Sequence, residues 1–417
     1  MGTKKFDNNL YKVMKRNLIL SALAVLALVA CTKVENHVPV SELEAATPAV
    51  PMNFGIYMPQ TKAGTGGVMD NAKLQSTGFG VFAYVKAGNY DGSTQPNFMY
   101  NQKVGFDNPD WSYSPVKYWP NQLGGSDAQK VSFFAYAPYV ETAGGTEGIV
   151  AMYDGSTPGD PTVTYKVSDD LDKNVDLVWG VSNGGTWENV AGSTNPVTEG
   201  LPYLDLQKPR VGTKVTFKFF HALAQLNLTA VGAYNVLTAG GTPKDGVKVT
   251  IKEVVLTIPG MYDRGVLNLH NIAAKTPLWD FSGVSSTDMT LTVSGTKLHT
   301  DVLDAGARKA SLQPAGVTAS EKPVLAAGKY FTLLPKSSPV TIGVRITYYV
   351  TTDDSNLADG FSRVENVISK SVTFPSFKAG TSNTIRMVLG LSEVSLAAEV
   401  VDWNTGETLE VDLPKNE

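Results

Sequence analysis

Val340-Thr-Ile-Gly-Val-Arg-Ile-Thr-Tyr348 is the stretch on which the fold class turns. Val340, Ile342, Val344, Ile346 and Tyr348 fall on one side, and Thr341, Gly343, Arg345 and Thr347 on the other. A period of two belongs to an extended chain with one buried face, because successive side chains point to opposite sides. Val247, Val249 and Ile251 alternate with Lys248, Thr250 and Lys252 in the same way. Phe79–Val85 and Val131–Ala137 are apolar on both faces, as the central strands of a sandwich are. Gly and Pro clusters lie between such runs: Gly124-Gly125-Ser126-Asp127, Gly144-Gly145 and Gly240-Gly241-Thr242-Pro243. No segment reads as a helix of more than three turns, and Ser41–Ala46 is at most a short one. Many short strands joined by such turns imply an all-β chain of packed antiparallel sheets.

The chain has 417 residues, more than one ordinary domain holds, and 42% of them are hydrophobic, enough to bury real cores. A net charge of −4 without a long basic run argues against nucleic acid as a partner. A single cysteine excludes an internal disulfide and a cysteine-rich zinc site. That cysteine is placed tellingly. Lys12, Lys15 and Arg16 precede the apolar run Leu18 to Ala30, and Cys31 follows. A basic region and a short apolar core make a secretory signal, here residues 1–30, with Met14 its expected start. Leu28-Val29-Ala30-Cys31 resembles a bacterial lipobox, in which the cysteine thiol receives diacylglycerol and becomes the first residue. Two or three acyl chains, at roughly 0.8 kcal/mol per buried CH₂, anchor a protein firmly in a membrane. Residues 31–49 are polar and aperiodic and read as a tether.

A division into 50–210 and 211–417 is suggested by Gly192-Ser-Thr-Asn-Pro196 and Gln207-Lys-Pro-Arg-Val-Gly212, which read as exposed breaks. The apolar run Lys214–Ala230 after them changes phase. Val215, Phe217 and Phe219 are odd-numbered, whereas Leu226 and Leu228 are even, so a bulge is expected around His221–Gln225.

Catalytic signatures are missing. His37, His221, His270 and His299 lie far apart, and none belongs to a His-Glu-x-x-His zinc motif. His221 sits in an apolar strand and reads as a hydrogen-bonded core histidine. Gly180-Val-Ser182-Asn-Gly184 matches a nucleophile-elbow pattern, but Gly185–Gly192 starts no helix, so a turn between strands is expected. Asp169, Asp170, Asp172, Asn174 and Asp176 fail the calcium-loop pattern at Leu177, and Asp353–Gly360 fails similarly; both read as solvated turns. Gly64-Thr-Gly66-Gly67 lacks the continuation of a phosphate loop. Trp111, Tyr113, Tyr118 and Trp119 read as core aromatics before they read as a sugar platform. The expectation is a non-enzyme without a metal or cofactor.

Two further strands flank everything else. Met52, Phe54, Ile56 and Met58 alternate with Pro51, Asn53, Gly55 and Tyr57, and a Gly-rich loop follows with Lys62 as its basic residue. Leu409, Val411 and Leu413 alternate with Glu410, Asp412 and Pro414 at the other end. Both have the period that donor-strand complementation requires, in which an added segment supplies backbone hydrogen bonds while alternate side chains fill pockets. Periodicity alone reads them as ordinary edge strands.

Several stretches, in order, bear on that choice. Val116-Lys-Tyr-Trp-Pro120, Val131-Ser-Phe-Phe-Ala-Tyr-Ala-Pro-Tyr139, Asp176-Leu-Val, Phe217-Lys-Phe-Phe-His-Ala-Leu-Ala-Gln-Leu226, Phe331-Thr-Leu-Leu-Pro335 and Val401-Asp-Trp403 resemble the fimbrillin family of Bacteroidales surface lipoproteins. The resemblance covers nearly all of the chain beyond residue 50. It implies two transthyretin-like β-sandwich domains and a type V pilus subunit, exported as a lipoprotein and supporting cell adhesion. It makes Cys31 the lipidation site and Lys62 the processing position, where relatives carry arginine. Met52, Phe54, Ile56 and Met58 become the removable strand, and Leu409, Val411 and Leu413 the donor-strand candidate. The implied partners are other fimbrial subunits, the outer membrane through the lipid, and a host or bacterial surface ligand. The implied location is the outer membrane for the anchored precursor and extracellular fimbriae for the mature form. A tip or accessory adhesin of the same pilus, and a monomeric glycan-binding surface lipoprotein, are the alternatives.

Overall fold

The structure, a computed structural model, describes residues 48–58, 68–124, 127–210, 213–232, 247–299, 321–390, 394–403 and 408–409. The expected signal, Cys31, most of the tether, Lys62, Val411 and Leu413 lie outside the described residues. The described chain is all-β, with β-sheets packed in sandwiches, as the alternation predicts. Its one α-helix among the described residues is Asn71–Thr77, seven residues long. Asp70 caps it by accepting from Lys73 N–H (2.7 Å), and Gly78, at φ 70°, ends it. The Asp-to-Gly spacing is the local signal for this helix, which the strand-dominated reading passes over.

An eight-stranded sheet carries the first half. Its order is Phe54–Tyr57, Val215–His221, Val178–Ser182, Gln129–Ala137, Phe79–Ala87, Met99–Asp107 and Asp110–Ser112, with Tyr203–Leu206 also on Gln129–Ala137. Both faces are covered, which explains the doubly apolar strands. Phe79, Val81, Phe133, Ala135, Phe217 and Phe219 pack into one core. Phe82, Tyr84, Phe134, Tyr136 and Trp179 pack into another, against Val163, Tyr165 and Leu267 of a second sheet. That second sheet runs Leu278–Asp280, Arg264–Asn268, Thr162–Lys166 and Gly148–Met152, so it joins strands from early and late in the chain.

The later strands form a sandwich of their own. Ala224–Gly232, Thr381–Leu389 and Val394–Asp402 lie side by side in one sheet. Thr287–Ser294, Val247–Met261, Val340–Asp353 and Phe361–Phe374 make the other. Leu226, Leu228, Ile385 and Met387 meet Val254, Leu256, Ile342, Val344 and Ile346 in the core between them. The inward set of the Val340 strand is therefore the one its period of two predicts.

Two expectations need correction. The run Lys214–Ala230 is not one bulged strand: Val215–His221 pairs with Val178–Ser182 in the first sheet, and Ala224–Gly232 pairs with Thr381–Leu389. The phase changes at Ala222–Leu223 because the chain crosses from one sheet to another, and each piece keeps its own buried set. Nor is every pair antiparallel. Phe54–Tyr57 runs parallel to Val215–Lys218, and Gln225–Gly232 parallel to Ser382–Leu389. Parallel neighbours need long connections, which these segments, far apart in sequence, provide.

Gly180 shows how tightly the first sheet is built. A Cβ there would stand 2.9 Å from Ala135 Cβ and 3.0 Å from a Phe219 ring carbon. Gly180→Ala is therefore expected to cost about 1–3 kcal/mol through overpacking. The check is a urea titration, in which the midpoint should fall while the slope stays unchanged.

Candidate functional site

The segment 48–58 forms the edge of the first sheet, and its apolar set points inward. Met52 and Phe54 are 0% and 1% exposed, Met58 is buried and Ile56 half-buried, while Asn53 and Tyr57 face outward. The register is Phe54 with Val215, Gly55 with Thr216, Ile56 with Phe217 and Tyr57 with Lys218. Val215 N–H donates to Asn53 O at 2.9 Å. On the opposite side, among the described residues, the segment is held near its start. Met52 N–H donates to Lys117 O (2.8 Å), Trp119 N–H to Val50 O (3.0 Å) and Tyr113 O–H to Met52 O (3.1 Å). Beyond that point, among the described residues, Phe54–Tyr57 has a strand on one side only.

The seat of Phe54 is made of rings. Phe217 stacks on it at 6.0 Å with an 18° interplanar angle. Phe79 and Phe133 stand edge-on at 6.4 and 6.0 Å, and Tyr113 is tilted at 5.3 Å. These rings come from four different strands or loops, so the seat exists only in the folded sheet. Burying such a side chain contributes about 1.5–3 kcal/mol, and each aromatic pair adds about 0.5–1.5 kcal/mol.

The start of the segment meets a buried lysine. Lys208 is 1% exposed, and its Nζ donates to Pro48 O (2.8 Å) and to Asn121 Oδ1 (2.7 Å). Both acceptors are neutral, and among the described residues Lys208 has no carboxylate partner. Burial pushes its ammonium pKa below the usual lysine value. Trp187 Nε1–H donates to Gln207 O and Val190 N–H to Lys208 O, which fixes the backbone that carries it. Lys208 and Pro209 are thus buried, not the exposed break that the Lys-Pro-Arg composition suggests.

Past the loop that contains Lys62, the chain is tied down by a separate group. Val68 packs with Tyr330 and Trp403. Met69 N–H donates to Asp176 Oδ2 at 2.8 Å, and His221 Nδ1–H donates to the same oxygen at 2.9 Å. Trp403 lies flat on the His221 ring, 3.9 Å away and 7° from parallel. His221 is the hydrogen-bonded core histidine expected of it. Asp176 is not in a solvated turn; it is 3% exposed and serves as a structural acceptor. Asp170 and Asp172 instead pair with Lys297 (2.7 Å) and Lys329 (2.8 Å).

The remaining candidates fall as follows. Ser182 lies in a strand that turns through Gly184 and Gly185 into the strand Gly185–Glu188, and its Oγ–H donates to Thr198 O. Trp119 is buried against Trp187, Trp111 packs on Phe79, and Tyr113 contacts Phe54, whereas Tyr118 is 53% exposed. Among the described residues no group of three or more His, Cys, Asp or Glu is placed to hold a metal ion. No described helix is long and apolar enough to cross a membrane. At the far end, Thr408–Leu409 runs antiparallel to Val400–Val401 at the border of its sheet.

An all-β chain whose first strand caps an aromatic groove matches a known profile. The description of that profile is "Fimbrillin-like", and it spans residues 61–403. The chain belongs to the fimbrillin-like family. A relative, the fimbrium subunit Fim1C of Phocaeicola vulgatus, is 25% identical over 428 residues, covering 96% of this chain and all of that protein. The crystal structure of a fimbrial protein from Bacteroides vulgatus superposes with a TM-score of 0.59 at 22% identity. It covers 85% of this chain and 100% of its own, and so shares the fold. Of the groups in this fimbrillin-like site, Trp403 and His221 lie in the motifs quoted above, and Phe54 in the periodic strand. Asp176 opens the quoted Asp176-Leu-Val motif and Tyr113 belongs to the quoted aromatic cluster, whereas the burial of Lys208 has no counterpart in the local sequence.

Phe54→Ala empties the four-ring seat and is expected to cost about 3–5 kcal/mol. Hydrogen exchange read by mass spectrometry should show faster exchange in 48–58 and in 215–218, with 340–348 unchanged.

Proposed function

We propose that this protein is a structural subunit of a fimbrium that supports cell adhesion and assembles by donor-strand exchange. The observation that carries the reading is the edge position of Phe54–Tyr57, bonded along one side while Phe54 fills an aromatic groove. The chain is exported as a lipoprotein through Cys31, and its precursor is held in the outer membrane. A cut at Lys62 frees the strand bearing Met52, Phe54, Ile56 and Met58, and the mature subunit then stands in extracellular fimbriae. The terminal segment of a neighbouring subunit, with Leu409, Val411 and Leu413, fills the vacated groove. Two β-sandwich domains form the body, and no catalytic step is involved.

The separate anchoring on the two sides of the loop supports this order of events. A cut leaves Val68 and Met69 held by Trp403 and Asp176, while 48–58 keeps only its own contacts. A second reading, a tip or accessory subunit, is favoured by the pairing of Thr408–Leu409 with Val400–Val401, which docks the start of the tail on its own sheet.

Trace trypsin on the protein without lipid is expected to cut once near the N-terminus, after Lys62. SDS-resistant ladders and filaments in negative stain should follow. Substituting Leu409→Asp with Val411→Asp should abolish the ladders and leave the cut unchanged. Cutting without ladders in the unsubstituted chain would favour the tip reading instead.

A further inference from the structure

Lys208 sits at the opposite end of the segment from the loop. It is a buried cation whose acceptors are a carbonyl and an amide oxygen. A buried ammonium is costly without an opposing charge, and neutral dipoles offset that cost only in part. One of its two acceptors, Pro48 O, belongs to the segment that strand exchange removes. Whatever replaces that segment has to offer Lys208 an oxygen, and a carboxylate satisfies it better than the carbonyl does.

The tail of the chain carries such groups in an apolar-acidic alternation: Glu407, Leu409, Glu410, Val411, Asp412, Leu413 and Glu417. Direction decides which of them meets the lysine. The resident strand runs parallel to Val215–Lys218, and antiparallel pairing is somewhat the more stable per residue. Laid antiparallel, Leu413, Val411 and Leu409 fall at the places of Met52, Phe54 and Ile56. Glu417 then falls at Pro48, because the separation from Val411 to Glu417 equals that from Phe54 to Pro48.

We propose that Lys208, with Asn121, selects the incoming strand by binding the Glu417 side-chain carboxylate of a second copy of this chain, whose tail lies antiparallel to Val215–His221. This rests on the strand-exchange reading above. The aromatic groove then supplies most of the hydrophobic contact, and the buried lysine sets direction and register. The resident segment, which offers only a carbonyl, is the weaker ligand of the same position.

The test uses the full chain with a site for a sequence-specific protease placed after Lys62, cut and then mixed with a labelled peptide of residues 404–417. The peptide ends in a carboxamide so that only side-chain carboxylates are read. Fluorescence anisotropy should show binding that is weakened at least about tenfold by E417Q in the peptide or K208M in the protein. The two losses should not add, and K208R should keep the discrimination between Glu417 and Gln. Equal binding of the E417Q and native peptides overturns the proposal, and this arm needs no altered protein. A loss on E407Q in place of E417Q overturns the antiparallel register. If no peptide binds at all, strand exchange itself fails. If peptide binding is abolished by L409D/V411D but indifferent to both charges, strand exchange stands and the role of Lys208 does not.

Discussion

The ring of Phe54, held by Phe79, Phe133, Phe217 and Tyr113, ties the start of the folded chain to the centre of the first sheet. The same rings belong to the core beneath it, so the groove is a continuation of that core rather than a surface feature. A central strand is bonded on two sides and covered on two faces. Among the described residues Phe54–Tyr57 has one bonded side, and its attachment therefore leans on side-chain burial more than on its ladder. Were the segment taken away, the rings around Phe54 would line a groove beside an open backbone edge. It is the state that a strand from another molecule can repair.

Polar chemistry frames the groove at both ends, and the two ends differ in kind. At one, Asp176 is a buried carboxylate that accepts from Met69 N–H and His221, with Trp403 laid over the imidazole. All of these groups lie outside 48–58, so the contacts among them do not depend on that segment. At the other end, Lys208 depends for one of its two bonds on Pro48, within the segment itself. A cluster that does not involve 48–58 and a contact to that segment thus differ in what they depend on. The difference follows from which side of the Lys62 loop each partner lies on.

Much of the fold was legible in local pattern. The period of two along Val340–Tyr348 and along Met52–Met58 named strands and inward faces correctly, because side-chain alternation is a property of the extended backbone itself. The doubly apolar Phe79–Val85 and Val131–Ala137 are interior strands for the same reason. The phase change after His221 was visible too, but its cause was not. A bulge and a sheet crossing leave the same imprint on a single strand, and only the identity of the neighbours tells them apart.

The sequence by itself determined the all-β class, the inward set of each main strand and the family to which the motifs point. These depend on residues close together in the chain, and local physics suffices to read them. The tertiary structure alone decided that the first strand runs parallel to Val215–Lys218 and that the chain changes sheets at Ala222–Leu223. It alone placed Lys208, in a Pro-flanked polar stretch, in a buried position against Pro48 and Asn121. Those outcomes join residues more than thirty positions apart. Pairing direction and burial over such separations are set by the whole sheet, and no window of local sequence contains them.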